Sequence, residues 1–241
     1  MIIALMIGRK GSSGFPNKNL LKIFNKHLCE YPIIAAKKTK LISKIFISTD
    51  CPKIKKITKK YNPIFLDRPK RLATNSALGE EVYRDAYFRI KKKLKGKKIS
   101  LIVLLMANAG TINSKLIKKG IHILKKNKKY DSAVTTSVYN MWSPIRARSF
   151  RNGSLVPFVP FKFMGGTKIN CDRDAQGEVH FADMSASIVR PKCLEKLDQG
   201  LLPQKWMGKK IAPIENIAGF DIDYEWQLPQ LKYWIKKYGS N

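Results

Sequence analysis

Short apolar runs alternating with amphipathic stretches set the rhythm of this chain. Residues 2–7 form an unbroken apolar run, too short for a helix of its own, and read as a strand buried on both faces. Residues 20–24 suit a short strand or a turn. Pro32 fits the first turn of a helix that Ile33, Ile34, Ala36 and Leu41 carry to about Ser43. Residues 44–50 are a second strand ending in small polar residues. Pro52 then opens a helix with Ile54 and Ile57 on one side. Residues 64–66 are a third strand, and a helix follows from about Gly79 to Leu94 on Val82, Ala86, Tyr87 and Ile90. Residues 99–106 are the fourth and most apolar strand. Asn113 and Ser114 are the capping residues of a helix reaching about Lys126, and residues 130–138 are a fifth strand.

Strands alternating with helices at these spacings predict a parallel sheet covered on both faces. From 140 to 177 the rhythm breaks. Pro144, Pro157, Pro160, Gly165 and Gly166 punctuate apolar pieces there, which predicts an insertion of extended strands and loops over a site or towards a partner subunit. Regular structure resumes with a strand at 185–189, a helix from Pro191 and a strand near 212–215. A closing helix from about Tyr224 to Lys237 would put Trp226 and Trp234 on one face. There is no internal repeat or low-complexity linker, so residues 1–241 read as a single domain with 140–177 inserted.

Composition changes this picture little. The chain is 44% hydrophobic and 27% charged, as globular domains are. Cys29, Cys51, Cys171 and Cys193 lie far apart with no C-x-x-C pair, which argues against zinc or redox chemistry and for isolated thiols in a reducing compartment. The longest apolar run, residues 99–107, contains Ser100 and is half what a membrane span requires. The apolar start lacks the basic flank of a signal peptide. A cytoplasmic protein without a membrane partner is expected. The formal net charge of +30 would attract polyanions non-specifically, but the lysines are scattered along the sequence without interleaved aromatics. No zinc finger, helix-turn-helix or RNP signature is present, so the charge reads as a solvated surface and a nucleic-acid partner is not expected.

Two stretches carry chemistry. The first apolar run feeds directly into a loop with Gly8, Arg9, Lys10, Gly11, Ser12, Ser13, Gly14, Lys18 and Asn19. Converging backbone amides and fixed cations at the carboxyl end of a buried strand make a phosphate site. The loop is neither a Walker loop nor a G-x-G-x-x-G fingerprint. In the second stretch, Phe220-Asp-Ile-Asp-Tyr-Glu-Trp226, an extended backbone points Asp221 and Asp223 the same way. Two hard oxygen ligands suit Mg²⁺ completed by phosphate oxygens and waters, while the other reading makes Asp223 the cap of the closing helix.

Together these stretches resemble the sugar-acid cytidylyltransferases, the family of CMP-sialic acid synthetases and their relatives for other 2-keto-3-deoxy sugar acids. Residues 7–19 look like the opening motif A-R-x-G-S-x-G-x-P-x-K-N. Ser48-Thr49-Asp50 is similar to the family's S-T-D, residues 67–75 to R-P-x-x-L-A-x-D, Tyr130-Asp131-Ser132 to Y-D-S, and Asp221-Ile222-Asp223 to D-I-D. The resemblance implies a Rossmann-like three-layer α/β/α nucleotide-sugar transferase fold with a mixed, mostly parallel sheet, and a homodimer built through the inserted element. It implies that CTP and a nonulosonic acid such as sialic, legionaminic or pseudaminic acid react to give the CMP-sugar and pyrophosphate. Arg9, Ser12, Lys18 and Asn19 would then hold the triphosphate, with Lys10, Gly11 and Arg68 nearby and Gly8 lining the base pocket. Asp221 and Asp223 would hold Mg²⁺, and Arg9, Lys18 and the two aspartates would be the catalytic set. Asn108, Arg173 and Gln176 would face the sugar acid.

The chain also departs from the family pattern. Ser13 stands where a lysine is common, with Lys10 as a candidate substitute. Met106 stands where a glutamine faces the sugar, and Asn75 replaces an aspartate. The nucleotide half is therefore the better matched. The rival readings are a nucleotidyltransferase for sugar-1-phosphates and a relative that binds nucleotide or nucleic acid with weakened turnover. His27, His122 and His180 read as structural or surface residues, although His180 sits in a polar stretch.

Overall fold

The computed structural model describes residues 1–11, 14–164, 170, 172 and 177–239. The strands are β1 (Ile2–Ile7), β2 (Lys22–Ile23), β3 (Lys26–His27), β4 (Lys44–Thr49), β5 (Ile64–Asp67), β6 (Leu101–Met106), β7 (Ser132–Val138), β8 (Arg148–Arg151), β9 (Ser154–Pro157), β10 (His180–Val189) and β11 (Ile211–Glu215). The helices are α1 (Glu30–Lys38), α2 (Pro52–Thr58), α3 (Gly79–Lys93), α4 (Ser114–Lys126), α5 (Lys192–Glu195) and α6 (Leu228–Tyr238).

Seven strands form one sheet in the order β11-β7-β10-β6-β1-β4-β5. Every residue of β1 is buried, as its unbroken apolar run predicts, and it pairs in parallel with β4 on one side and β6 on the other. Alternate β1 residues feed two cores. Ala4 and Met6 pack with Ile33 of α1, Ile54 of α2 and Ile117 and Ile121 of α4, whereas Ile3 and Leu5 pack with Val82, Tyr83 and Ile90 of α3. A smaller cluster seats Leu231, Trp234 and Ile235 of α6 against Leu28 and Ile222. The chain steps from β1 out to β4 and β5, then returns to the other flank of β1 as β6. The strand order therefore reverses at the carboxyl ends of β1 and β6, where open α/β sheets bind ligands.

Several boundaries differ from those the pattern predicts. Helix α1 stops at Lys38, not Ser43, because Ser43 donates its amide to the Ile2 carbonyl (2.8 Å) as β4 pairs with β1. Strand β10 starts at His180, runs antiparallel to both β6 and β7, and carries a bulge at Met184, whose φ is +60°. The helix after Pro191 is a single turn. The closing helix begins at Leu228, preceded by a 3-10 turn over Glu225–Gln227. Trp226 falls in that turn and is 61% exposed while Trp234 is 2% exposed, so the two do not share a face. Within the predicted insertion, β8 and β9 form a separate hairpin.

Candidate active site

A cleft of about 310 Å³ opens at the carboxyl ends of β1 and β6. The glycine loop forms one wall. Gly8 is required there by close approach, since a Cβ would come 2.7 Å from the Ala107 Cβ, and Gly11 adopts a φ of +71°. The loop is held from outside by two of the matched motifs. Asp50 Oδ1 accepts the Lys10 amide at 2.9 Å, and Asn75 Oδ1 accepts from Arg9 Nη1. The Asn75 departure thus has a role in holding Arg9. Arg9, Lys18, Asn19 and Arg68 line the cleft, whereas the Lys10 side chain does not. Asn19 is buried, donates to the Arg9 carbonyl at 3.4 Å and has its own carbonyl held by the Cys29 amide at 3.1 Å. Arg68 is 9% exposed and anchored to the Leu72 carbonyl at 2.6 Å. Burial pulls its pKa down, with Asp50 opposing and Arg9 adding to the fall.

The aspartate pair forms the facing wall. Both Asp221 and Asp223 line the cleft. Asp223 does not cap the closing helix: the Tyr224 and Asp223 amides are taken by Gln227 Oε1 at 2.9 and 2.7 Å, which leaves its carboxylate to pair with Lys18. Asn108 donates to Asp221 Oδ2 at 2.8 Å and to the Ile222 carbonyl at 3.2 Å, and so orients the pair. Burial pushes the Asp221 carboxyl above its usual range, and the Asp223 charge pushes it further, while Asn108 and Lys18 oppose. Two carboxylates held close against their mutual repulsion fit a divalent cation, which would relieve it. Among the described residues no group of three or more His, Cys, Asp or Glu could hold a metal, so the pair would need phosphate oxygens and water to complete a shell.

Behind the aspartates lies a buried polar network that sequence reading missed. Asp183, 4% exposed, accepts from Ser137 Oγ and Asn216 Nδ2 (both 2.9 Å) and from the Ser185 amide (3.0 Å). Thr111 Oγ1 donates to the Phe220 carbonyl at 2.8 Å and accepts the Phe220 amide at 2.9 Å, and Ser137 Oγ accepts the Gly219 amide at 2.8 Å. The bulge at Met184 turns Asp183 inward, and the network clamps the residues immediately before Asp221. The only sequence signal was an aspartate in a polar stretch beside His180.

Other expected positions fall elsewhere. Asp131 lies at the opposite edge of the sheet, where it takes the Lys209 and Lys210 amides at 2.9 and 3.0 Å and Lys192 at 2.5 Å. His27 pairs with buried Glu30 at 3.1 Å, and His180 with Glu178 at 3.4 Å. Ser12, Ser13, Arg173 and Gln176 lie outside the described residues. Among the described residues lining the cleft there is no serine, cysteine or histidine to act as a nucleophile.

A sheet whose switch point carries a glycine loop, facing cations and a paired carboxylate across one cleft suits an enzyme that handles a phosphate-bearing substrate. Comparison with known proteins specifies which. A family model described as cytidylyltransferase matches residues 3–149, and the chain belongs to that family. Post-translational flagellin modification protein B of Campylobacter coli is 39% identical over 239 residues, covering 98% of this chain and 95% of that protein. A Helicobacter pylori protein named pseudaminic acid cytidylyltransferase and UDP-2,4-diacetamido-2,4,6-trideoxy-beta-L-altropyranose hydrolase is 34% identical over 157 residues. That match covers 65% of this chain and only 29% of the longer relative. In fold, the chain is similar to CMP:2-keto-3-deoxy-manno-octonic acid synthetase solved with CTP, with a TM-score of 0.67 at 14% identity over 98% of each chain.

Proposed function

We propose that this enzyme transfers CMP from CTP to a hydroxyl of a nonulosonic acid, a 2-keto-3-deoxy sugar acid, and releases pyrophosphate. The observation that carries this reading is the apposition, across one cleft, of Arg9 and Lys18 on the glycine loop with Asp221 and Asp223 on the late segment. The names of the relatives supply the acceptor class. In the transfer, the acceptor oxygen bonds to the α-phosphorus, the bond from that phosphorus to the bridging oxygen breaks, the hydroxyl proton leaves and pyrophosphate departs. The need is for in-line positioning and charge neutralisation rather than a side-chain nucleophile. Arg9 offers a fork to the leaving phosphates and Lys18 a mobile point charge. Lys18 must exchange Asp223 for phosphate as the nucleotide enters. Asn108 keeps Asp221 aimed into the cleft. Asp221 and Asp223 would hold Mg²⁺, which neutralises phosphate charge and makes an acceptor hydroxyl more acidic when bound.

The expected outcome is tested by pyrophosphate release with each nucleoside triphosphate against a panel of nonulosonic acids and sugar-1-phosphates in Mg²⁺. Turnover should require CTP and a sugar acid. A preference for UTP, GTP or dTTP, or for a sugar-1-phosphate, overturns the reading.

The same reading extends to assembly in a cytoplasmic homodimer. Hairpin β8–β9 and its flank expose Phe150, Leu155, Phe158 and Phe163 at 64–76% of their surface, more apolar area than a free loop tolerates in water.

A further inference from the structure

The tertiary structure redistributes a charge that looked evenly spread along the sequence. Strands β1, β4, β5, β6, β7 and β11 all run one way, so α1 to α4, which return the chain, finish at the sheet edge opposite the cleft. Backbone hydrogen bonds join that edge into one surface. The Met1 ammonium donates to the Lys98 carbonyl at 2.8 Å and the Asp131 amide to the Lys210 carbonyl at 2.7 Å. The Arg190 guanidinium ties the Leu124 and Asn127 carbonyls to it at 2.8 and 3.1 Å.

Each of three returning helices ends on exposed lysines: Lys37 and Lys38 in α1, Lys91 to Lys93 in α3, and Lys125 and Lys126 in α4. Cations there complement the helix macrodipoles. The loops that follow add exposed Lys97, Lys98, Lys128, Lys129, Lys209 and Lys210. Residues 86–130 contain no aspartate or glutamate. The carboxylates that do reach this edge are already engaged: Asp131 with Lys192, and Glu195 with Lys91 at 3.0 Å. Asp50, Asp183, Asp221 and Asp223 lie at the other end. The helix-end and loop lysines thus share one edge, turned away from the cleft.

We propose that this lysine edge seats the enzyme on an anionic bilayer surface, as a peripheral contact with acidic phospholipid headgroups that leaves the cleft facing the solvent. Many point charges on flexible stems across a broad edge suit a fluid layer of phosphodiesters, which requires no register. Nucleic acid is the poorer match. Lysines outnumber arginines 37 to 10, and Arg is the residue that reads bases and grips phosphate as a fork. Tyr61 and Tyr130 at this edge are half-buried beneath Lys60 and Lys129, with the ammonium groups 5.3 and 5.0 Å from the ring centres, and are not free to stack on bases. No helix among the described residues is long and apolar enough to cross a membrane, so the contact is superficial.

The test compares the full chain with two variants of identical net charge. One replaces Lys97, Lys98, Lys128, Lys129, Lys209 and Lys210 by Gln; the other replaces Lys22, Lys26, Lys53, Lys70, Lys232 and Lys236 by Gln. Each is sedimented with vesicles of phosphatidylcholine alone, with vesicles containing phosphatidylglycerol, and with duplex DNA, over a range of salt. The wild type should bind the phosphatidylglycerol vesicles and not the neutral ones, with affinity falling as salt rises. The edge variant should bind them at least tenfold more weakly, and the control variant within twofold of the wild type. Equal losses in the two variants would mean bulk charge alone and overturn the proposal. So would an absence of vesicle binding, or an edge-dependent preference for DNA over vesicles.

Discussion

At the scale of single residues, Asp221 shows the tension between stability and chemistry. Its carboxyl is held above the usual range by burial and by Asp223, so the folded state favours its protonated form. The cost of this site to stability is nil below the ordinary carboxylate range, grows as pH rises from that range to the raised folded value, and is complete above it. Asp221→Asn keeps an oxygen for Asn108 and removes the repulsion. It should abolish turnover while raising the melting temperature at neutral pH by about 2–4 °C, or about 1 kcal/mol. That gain should shrink as pH falls towards the ordinary carboxylate range. Thermal melts at several pH values check this, and a variant less stable at pH 7.5 would make Asp221 a structural residue. Glu30 is the opposite case. Burial works to raise its pKa, yet Lys60, the His27 amide and ring, and Tyr61 bring it down to about 2, and with Cys29 held on Asn19 it supports the turn behind the cleft.

Among the elements, β10 matters more than its length suggests. Its bulge places Asp183 under the loop that presents the aspartate pair, and the clamp through Thr111, Ser137 and Asn216 sets where Asp221 stands. Asp183→Ala leaves three donors without their acceptor, at a cost of about 2–4 kcal/mol. The expected kinetic result is a kcat loss of tenfold or more with a smaller change in CTP affinity, since Arg9 and Lys18 sit on a separate wall. Denaturant unfolding combined with calorimetric CTP binding separates the two effects. An unchanged kcat in a folded variant would show that the clamp does not govern the site.

Across the whole molecule, the exposed hairpin and the lysine edge are the two surfaces that single elements do not explain. Burying Phe150 and Phe158 in a dimer would cover two of the four strongly exposed apolar side chains of the hairpin and its flank. Phe150→Asp with Phe158→Asp should convert a dimer to a monomer in sedimentation while leaving the fold intact. A wild-type chain that sediments as a monomer at micromolar concentration would remove the basis for the dimer.

Local chemistry made much of this protein legible in its sequence. The run at residues 2–7 read as a buried strand and is one, Asn113 caps α4 at the expected place with its side chain on the Leu116 amide at 3.0 Å, and the glycine loop follows a strand. These features depend on neighbours within a few residues, so periodicity and capping reveal them. Long-range pairings were not legible in that way. Lys18 meets Asp223 across 205 residues, β10 turns antiparallel because its partners are β6 and β7, and Asp183 comes inward only through a bulge. The lysines were visible one by one, but their gathering on one edge follows from the common direction of the parallel strands. The sequence alone determined the strand–helix rhythm and the residue types that its two key stretches bring to the cleft, because both rest on local sterics and side-chain type. Only the tertiary structure decided which charges face each other, because contact across the fold depends on strand order and register, which no local pattern encodes.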